Sequence, residues 1–485
     1  MPEAPRNVSD LVAIAAEQAP DHLAFAEVAT DQALSWAKLD RAVNAEARRL
    51  LDAGIQPGDR VAIQLPTGIG FVVALFGALR AGATAVPMAA GLPEPERDRV
   101  LGHSEPKIVV DASPDLDAMA DAVRSAPGGE DIALLCYTSG TAGVPRGVML
   151  SHRALLANVQ QCAALKPAPV TSTDRVLLAV PLFHAYGLGP GLFQVASAAA
   201  SAVLMEHFSV EPALQACEDF RITAIVGVPP MYQAFAQVPA ERLGSALSTL
   251  RLLTSGAAPL DPSVLTAMYR ATGLNIYEGY GLTETGPVLT WTLVGGLAKP
   301  GSVGRPLPGV DLRLVDSDGT PGGGGDDDDD DDGDAGVVSV RGANLFSGYW
   351  PDGAHGPDAE GWFRTGDVGY LDADGDLHLV DRANDLIIVN GFNVYPHEVE
   401  QVLAGLSEVV EAAAVGVPDE RTGERVKAVL VLRDGAELTE DQVREHCAAR
   451  LAKFKVPGPV EFVSTLPHSI TGKLRRASLR KTDSV

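Results

Sequence analysis

Cysteine is scarce in this chain, with four in 485 residues. Cys136, Cys162, Cys217 and Cys447 are scattered, without a CxxC pair or metal-ligand spacing, which argues against a disulfide framework or a cysteine-bound zinc. They read as buried thiols of a reducing compartment. Long apolar runs are also missing: Phe71–Leu79 and Leu192–Leu204 are the most apolar stretches and are too short to span a bilayer. The start, MPEAPRNVSDLVAIAAEQAP, has no basic region and no continuous apolar core, so it does not read as a signal peptide. Val8, Leu11, Ile14 and Ala15 within it fall at helical spacing. A cytoplasmic protein without an integral membrane segment is expected. Positive charge is short as well, with 38 Lys and Arg against 63 Asp and Glu and a net charge of −25. Such a surface repels phosphate backbones, so nucleic acid is not an expected partner. The exception is the end of the chain, where Arg450, Lys453, Lys455, Lys473, Arg475, Arg476, Arg480 and Lys481 face only Glu461 and Asp483. That stretch is either a solvated face or one that meets an anionic substrate.

What is present is ordinary for a globular protein: 46% hydrophobic and 21% charged residues. The length exceeds what one core usually reaches, so two or more domains are expected. Over roughly the first 290 residues, strand-like runs (Arg60–Leu65, Lys107–Val110, Ile132–Tyr137, Arg175–Val180, Ile222–Val228, Leu250–Thr254) alternate with helical patterns such as Ile69–Ala81, which stops at Gly82. The pattern predicts an α/β fold with largely parallel sheets. From about 301 to 381, short strands with frequent glycines predict a small β subdomain (Asp311–Val315, Val337–Arg341, Asp367–Asp372, Leu377–Val380). A large domain over 1–381 is expected, followed by a mobile α+β domain over 385–485. Seven aspartates, Asp326–Asp332, follow the glycines 322–325. Asp328, Asp330, Asp332 and Gly333 fit the first positions of a calcium loop, but position twelve falls on Ser339 and no helices flank it. A self-repelling surface loop is the reading preferred.

The sharpest motif is Tyr137-Thr138-Ser139-Gly140-Thr141-Ala142-Gly143-Val144-Pro145-Arg146-Gly147, after a strand-like run and before Ser151-His152-Arg153, where a helix is expected to start. Glycines let backbone approach phosphate oxygens, and hydroxyl and amide groups donate to them. A Walker loop would end in Gly-Lys-Ser/Thr, which is absent. The string resembles the phosphate-binding signature of the adenylate-forming superfamily, whose members include acyl-CoA synthetases. It departs in having Ala142 for a usual threonine and Arg146 for a usual lysine; arginine keeps the charge and can grip phosphate bidentately.

Five further strings appear in that family's order. By the resemblance, Thr138, Ser139, Gly140, Thr141, Gly143 and Arg146 cradle ATP phosphates. Tyr277-Glu278-Gly279-Tyr280-Gly281-Leu282-Thr283-Glu284-Thr285 resembles the family's YGxTE core. It implies that Thr283 contacts the α-phosphate, Glu284 holds Mg²⁺, and Tyr280, with Glu278 and Gly279, lies at the nucleotide. Ser255-Gly256-Ala257-Ala258-Pro259-Leu260 resembles the adenine-side loop. Gly361-Trp362-Phe363-Arg364-Thr365-Gly366-Asp367 matches the signature in which Asp367 accepts from the ribose hydroxyls. Asp381–Glu400 resembles the interdomain junction. There Arg382 would bind nucleotide, Asn384 would be the hinge (commonly Asp or Lys in the family), and Gly391 with Phe392 would line the path of coenzyme A's pantetheine arm. Pro467-His468-Ser469-Ile470-Thr471-Gly472-Lys473 resembles the terminal motif, with Lys473 the catalytic lysine, an ammonium placed against charge developing at the α-phosphate.

The resemblance implies an AMP-forming acyl-CoA ligase. A carboxylate attacks ATP, Mg-pyrophosphate leaves, and a thiol then takes the acyl group from acyl-AMP. His184, in Pro181-Leu182-Phe183-His184, is a candidate beside the acyl and thiol sites; a satisfied structural histidine is the alternative. Family positions of the acyl pocket map to Tyr232, Gly256, Gly279 and Val288. None could pair a second carboxylate, which disfavours a dicarboxylic acid. A medium- or long-chain fatty acid is expected, with an aryl acid as the alternative. Two other readings stay open: an enzyme that loads a carrier protein, and a nucleotide-binding protein that has lost catalysis.

Overall fold

The computed structural model describes residues 4–30, 32–138, 146–296, 298–316, 335–382, 385, 387–389, 392–419, 421–468 and 474–480. The aspartate run lies outside them. The chain divides into two compact units, 1–312 with 340–363, and 313–339 with 364–485.

The first unit is built on two sheets. The larger has nine strands in the order Arg305–Pro306, Thr290–Trp291, Ile276–Tyr280, Leu252–Ser255, Ala224–Gly227, Arg175–Leu178, Ser201–Leu204, Leu23–Glu27, Ala33–Ser35. Its six central strands pair in parallel, from Ile276–Tyr280 across to Leu23–Glu27. The smaller has the order Ile108–Val110, Arg60–Ile63, Thr84–Pro87, Ile132–Thr138, Arg146–Ser151, and only its last pair is antiparallel. The six strand-like runs expected in this part of the sequence are all strands, with ends displaced by one or two residues.

Helix Ile69–Arg80 shows why the interior sits where it does. Apolar on every side, it has no solvent face to offer and is buried from Phe71 through Leu79. Arg80 at its end is buried too, and its guanidinium bonds Asp40 and Asn44 at 2.8 Å each. Gly82 follows at φ +85°, the left-handed stop. Helix Trp36–Asp52 buries Trp36, Leu39, Val43, Ala47 and Leu50 at three- and four-residue spacing, with Ser35 as its N-cap. Together these features realise the expected α/β layers.

Val310–Val315, Gly336–Gly342, Trp362–Leu371 and Leu377–Arg382 form a four-stranded sheet where the small β subdomain was expected. In the second unit a five-stranded sheet is dominated by the long hairpin of Val409–Asp419 with Gly423–Leu432. Its core gathers Val399 and Leu403 of helix Pro396–Ala404 and Val443 and Cys447 of helix Glu440–Ala448 around Val426, Ala428 and Leu430.

Candidate active site

The two ends of the glycine-rich string lie on paired strands, called the hairpin below. Strands Ile132–Thr138 and Arg146–Ser151 pair antiparallel, so Thr138 and Arg146 face each other across its open end. The expected helix does start at His152, capped by Ser151, but a strand the sequence pattern did not reveal separates it from the glycine-rich string. Ser139, Gly140, Thr141 and Gly143 lie outside the described residues. The second strand is flanked on its other side by 347–350: Ser347 N–H donates to Met149 O at 2.9 Å, Met149 N–H to Gly348 O at 3.1 Å, and Trp350 N–H to Gly147 O at 2.8 Å. One residue before Thr138, the Tyr137 hydroxyl and His103 Nδ1 are 2.8 Å apart, and Trp350 Nε1–H donates to His103 O at 3.0 Å.

The second motif runs off strand Ile276–Tyr280 into a tight turn over Thr283–Thr285. Glu278 is buried, accepting from Leu260 N–H at 3.2 Å. Burial raises its pKa to about 7 despite that hydrogen bond. Glu284 is 9% exposed and accepts from the Tyr349 hydroxyl at 2.8 Å. The Tyr349 ring carries the Arg146 guanidinium 5.4 Å above its centroid. Burial first, and then the Glu284 carboxylate, raises the pKa of Tyr349, which keeps it a donor. Arg146 and Glu284, far apart in sequence, thus meet on the two sides of one tyrosine.

A cavity of about 50 Å³ is lined by His184, Ala185, Tyr186, Ala257, Tyr280, Leu282, Thr283 and Val288, among others, with glycines 279 and 281. It joins four of the candidate groups: His184, the adenine-side loop, the YGxTE string and Val288. Ala257 adopts φ +71°, uncommon for a side-chain-bearing residue, and Ala258 beside it is half-buried. A Cβ on Gly256 would stand 2.6 Å from the Tyr186 ring, so that ring occupies the space a side chain there would need. A Cβ on Gly279 would meet its neighbours no closer than 3.5 Å. Packing therefore does not demand glycine at 279, and its smallness leaves the cavity open. His184 Nδ1 accepts from Tyr186 N–H at 3.2 Å. Val288 is held through its backbone by Asn158, whose amide bonds its N–H at 3.2 Å and its carbonyl at 2.7 Å. Tyr232 is placed elsewhere: fully buried, outside the cavity lining, with its hydroxyl donating to Thr254 O at 2.7 Å.

In the second unit Asp367 is buried on strand Trp362–Leu371, its backbone in register with Arg382. Asn384, Gly391 and Lys473 lie outside the described residues, and Phe392 is placed by backbone alone, opposite Val389. On either side of the string that ends in Lys473, His468 bridges Leu474 and Arg475 N–H donates to Pro467 O at 2.8 Å. The basic tail is less available than its composition suggested. Arg476 bonds Glu400 at 2.7 and 3.1 Å, Arg480 bonds Asp385 at 2.9 Å, and Lys455 bonds Glu398 at 2.7 Å. Among the described residues, Asp372, Asp374 and Asp376 are the one carboxylate group close enough to share an ion. Asp372 is engaged in the turn, accepting at 3.0 Å from the N–H of Asp374 and of Asp376 and contacting His378 at 2.9 Å.

Tyr349 and Asn158 were not singled out from sequence. Asn344, which donates to Thr285 O at 2.8 Å, was also missed. None lies in a telling string, and only their contacts give them away. The four thiols are buried, with pKa values pushed up to about 12 for Cys136, Cys162 and Cys217 and about 11 for Cys447, so none is poised as a nucleophile. Among the described residues no helix is long and apolar enough to cross a membrane.

Comparison with known proteins agrees with this geometry. Residues 12–350 match the AMP-binding enzyme family and residues 398–473 the AMP-binding enzyme C-terminal domain. A feruloyl-CoA synthase from Amycolatopsis sp is 37% identical over 472 residues, covering 93% of this chain and 94% of that protein. A long-chain-fatty-acid–CoA ligase from Mycobacterium tuberculosis is 31% identical over 509 residues, covering 98% of both. Among solved structures, ATP-bound MatB from Rhodopseudomonas palustris superposes with a TM-score of 0.88 at 32% identity, covering 98% of each chain. The anthranilate CoA ligase AuaEII in complex with anthranoyl-AMP gives 0.85 at 25% identity, covering 99% of this chain and 97% of that one. The chain belongs to the AMP-binding enzyme family, in its AMP-forming acyl-CoA synthetase branch. ATP and coenzyme A are that family's co-substrates.

Proposed function

We propose that the protein activates a compact, apolar monocarboxylic acid, preferably an aryl acid, as its acyl-adenylate and passes the acyl group to coenzyme A. The observation that carries this reading is the cavity between His184, Tyr186, Gly279 and Val288. Among the described residues its lining holds no Lys, Arg, Asp or Glu, and the Tyr186 ring forms one wall against Gly256. A flat acid could stack there. Tyr186 is held as that wall by its hydroxyl, which donates to Gly227 O at 3.1 Å, and this favours a compact acid over a long alkyl chain. The feruloyl-CoA synthase likeness points the same way. An aryl acid is therefore preferred to the fatty acid expected from sequence, although the fatty-acid ligase likeness keeps that acid in the test.

In this reading Thr138 and Arg146 at the hairpin, with the string between them, hold the triphosphate. Tyr280, Ala257 and Ala258 lie against the nucleotide, with Glu278 and Gly256 behind them. Thr283 meets the α-phosphate, and Asp367 and Arg382 serve the ribose and nucleotide. Lys473 supplies the charge that drives adenylation. Asn384 is the hinge of the C-terminal lid, and Gly391 and Phe392 border the pantetheine path. Glu284 fits a hard divalent cation such as Mg²⁺: it is an acceptor-only carboxylate, buried, with Tyr349 its one side-chain donor among the described residues. Bound there, the ion would offset charge on the leaving pyrophosphate. A cytoplasmic setting accords with four buried free thiols.

The test is pyrophosphate release and product mass over benzoic, cinnamic, medium-chain and long-chain acids, with and without coenzyme A. Aryl acids should give the highest kcat/KM and a CoA thioester. A maximum at long chains would overturn the acid assignment, release without thioester would favour carrier loading, and no release at all would favour a silent nucleotide binder.

A further inference from the structure

We propose that Tyr349 is a positioning residue that couples the metal carboxylate to the phosphate hairpin, and so sets how strongly a divalent cation and ATP support each other's binding. The inference rests on the reading above that Glu284 holds the metal.

The geometry has two layers. In the backbone, the stretch 346–350 bonds to both nucleotide motifs: Phe346 N–H donates to Glu284 O at 2.9 Å, while Ser347 and Trp350 donate to Met149 and Gly147 on the hairpin strand. Tyr349 itself bridges Val148. In the side chains, the Tyr349 hydroxyl donates to Glu284 Oε1 at 2.8 Å while its ring lies beneath Arg146. The ring is braced edge-on by Phe346, with centroids 5.1 Å apart, and Phe346 is braced in turn by Phe363 at 4.9 Å. An ionised carboxylate this deeply buried is costly unless a donor or a cation meets it. The hydroxyl supplies the donor and fixes the carboxylate's rotamer, leaving Oε2 as the oxygen to offer. It is charge-assisted and set in a braced frame, so it should be worth more than an exposed hydrogen bond. Arg146, over the face of the same ring, is the charged residue of the glycine-rich string. An event that draws Arg146 toward phosphate therefore acts on the same ring that holds Glu284, and by linkage the effect runs both ways.

The experiment is calorimetric titration of ATP into the full-length chain over a series of Mg²⁺ concentrations, for wild type, Y349F, R146Q and E284Q. Wild type should bind ATP more tightly as Mg²⁺ rises. Y349F keeps the ring and loses only the hydroxyl. It should raise the half-saturating Mg²⁺ by about tenfold, the lower end of what a hydrogen bond to an ionised group contributes, while ATP affinity in excess EDTA stays within about twofold. A merely structural role would instead lower the melting temperature and weaken ATP equally with and without metal, which overturns the proposal. If Y349F does not fold, R146Q carries the test: loss of its own phosphate contact weakens ATP equally with and without metal, whereas coupling through the ring requires the larger loss at saturating Mg²⁺; an equal loss refutes the coupling. If E284Q shifts the midpoint and Y349F does not, the role of Tyr349 falls and the metal assignment stands. If E284Q leaves the midpoint unchanged, the metal assignment itself falls.

Discussion

Replacing Gly256 with alanine asks whether the Tyr186 wall defines the acid site. The added methyl would lie 2.6, 2.9 and 3.2 Å from three atoms of the Tyr186 ring, all well inside van der Waals contact. The ring cannot swing freely, because its hydroxyl donates to Gly227 O at 3.1 Å and the residue is packed behind His184. Alanine must therefore push the ring toward the cavity or break that hydrogen bond. Overpacking of this kind costs about 1–3 kcal/mol, and the lost hydrogen bond about 1. If about 2 kcal/mol of that appears in acid binding, kcat/KM for the acid falls roughly thirtyfold. The assay is initial-rate thioester formation with acid and ATP varied separately. The expected signature is a loss confined to the acid, with KM for ATP changed less than about threefold, and partial recovery when Y186L is added to G256A. Gly256 also belongs to the string read as the adenine-side loop, so the two roles are separated by the same data. An unchanged acid kcat/KM, or a loss falling on ATP alone, would refute the reasoning.

Three other outcomes are expected. Lys473→Ala should abolish pyrophosphate release yet largely spare thioester formation from supplied acyl-AMP; equal loss of both half-reactions would count against its role. His152 is buried, accepting from Val8 N–H at 2.9 Å, and burial lowers its pKa to about 4 against the opposing pull of Asp10. The folded state resists protonation, so the contribution is complete above about pH 6.5 and is lost as pH falls toward 4, about 3 kcal/mol in all; urea midpoints of wild type and H152Q across that range check it. Glu278 behaves oppositely: with its pKa raised to about 7, the folded state keeps the proton longer than the unfolded chain. Stability then declines as pH climbs from about 4.5 to 7, and E278Q should melt higher than wild type at pH 8 but not at pH 4.5.

The parts of the fold that were legible from sequence carried a period or a stop. Helix 69–80 was marked by its apolar run and Gly82, and strands Arg60–Ile63 and Ile108–Val110 by short runs rich in β-branched residues. Strand Arg146–Ser151 was not legible, because its sequence, Arg-Gly-Val-Met-Leu-Ser, is short, begins beside glycine and merges with the helix start it precedes. In the candidate site, strings such as the one holding Thr283 and Glu284 could be matched because several candidate residues sit within a few positions. Tyr349, Asn158 and Asn344 could not, because each acts from a remote segment through a contact that only the fold creates. Tyr232, an aromatic at a mapped pocket position, is fully buried with its hydroxyl on Thr254 O, a setting its sequence neighbours do not reveal.

The hairpin setting of the glycine-rich string has an electrical consequence. Where a phosphate loop opens directly into a helix, aligned peptide dipoles supply a fixed positive end that no point mutation removes. Here Arg146 begins a strand, and the helix at His152 starts only after that strand ends. On the reading proposed above, the net charge of a triphosphate is then countered by side chains such as Arg146 and by any bound ion, without a helix dipole beside them. Such a site is adjustable one residue at a time, and it should be more sensitive to ionic strength and to the supply of divalent cation than a dipole-backed loop.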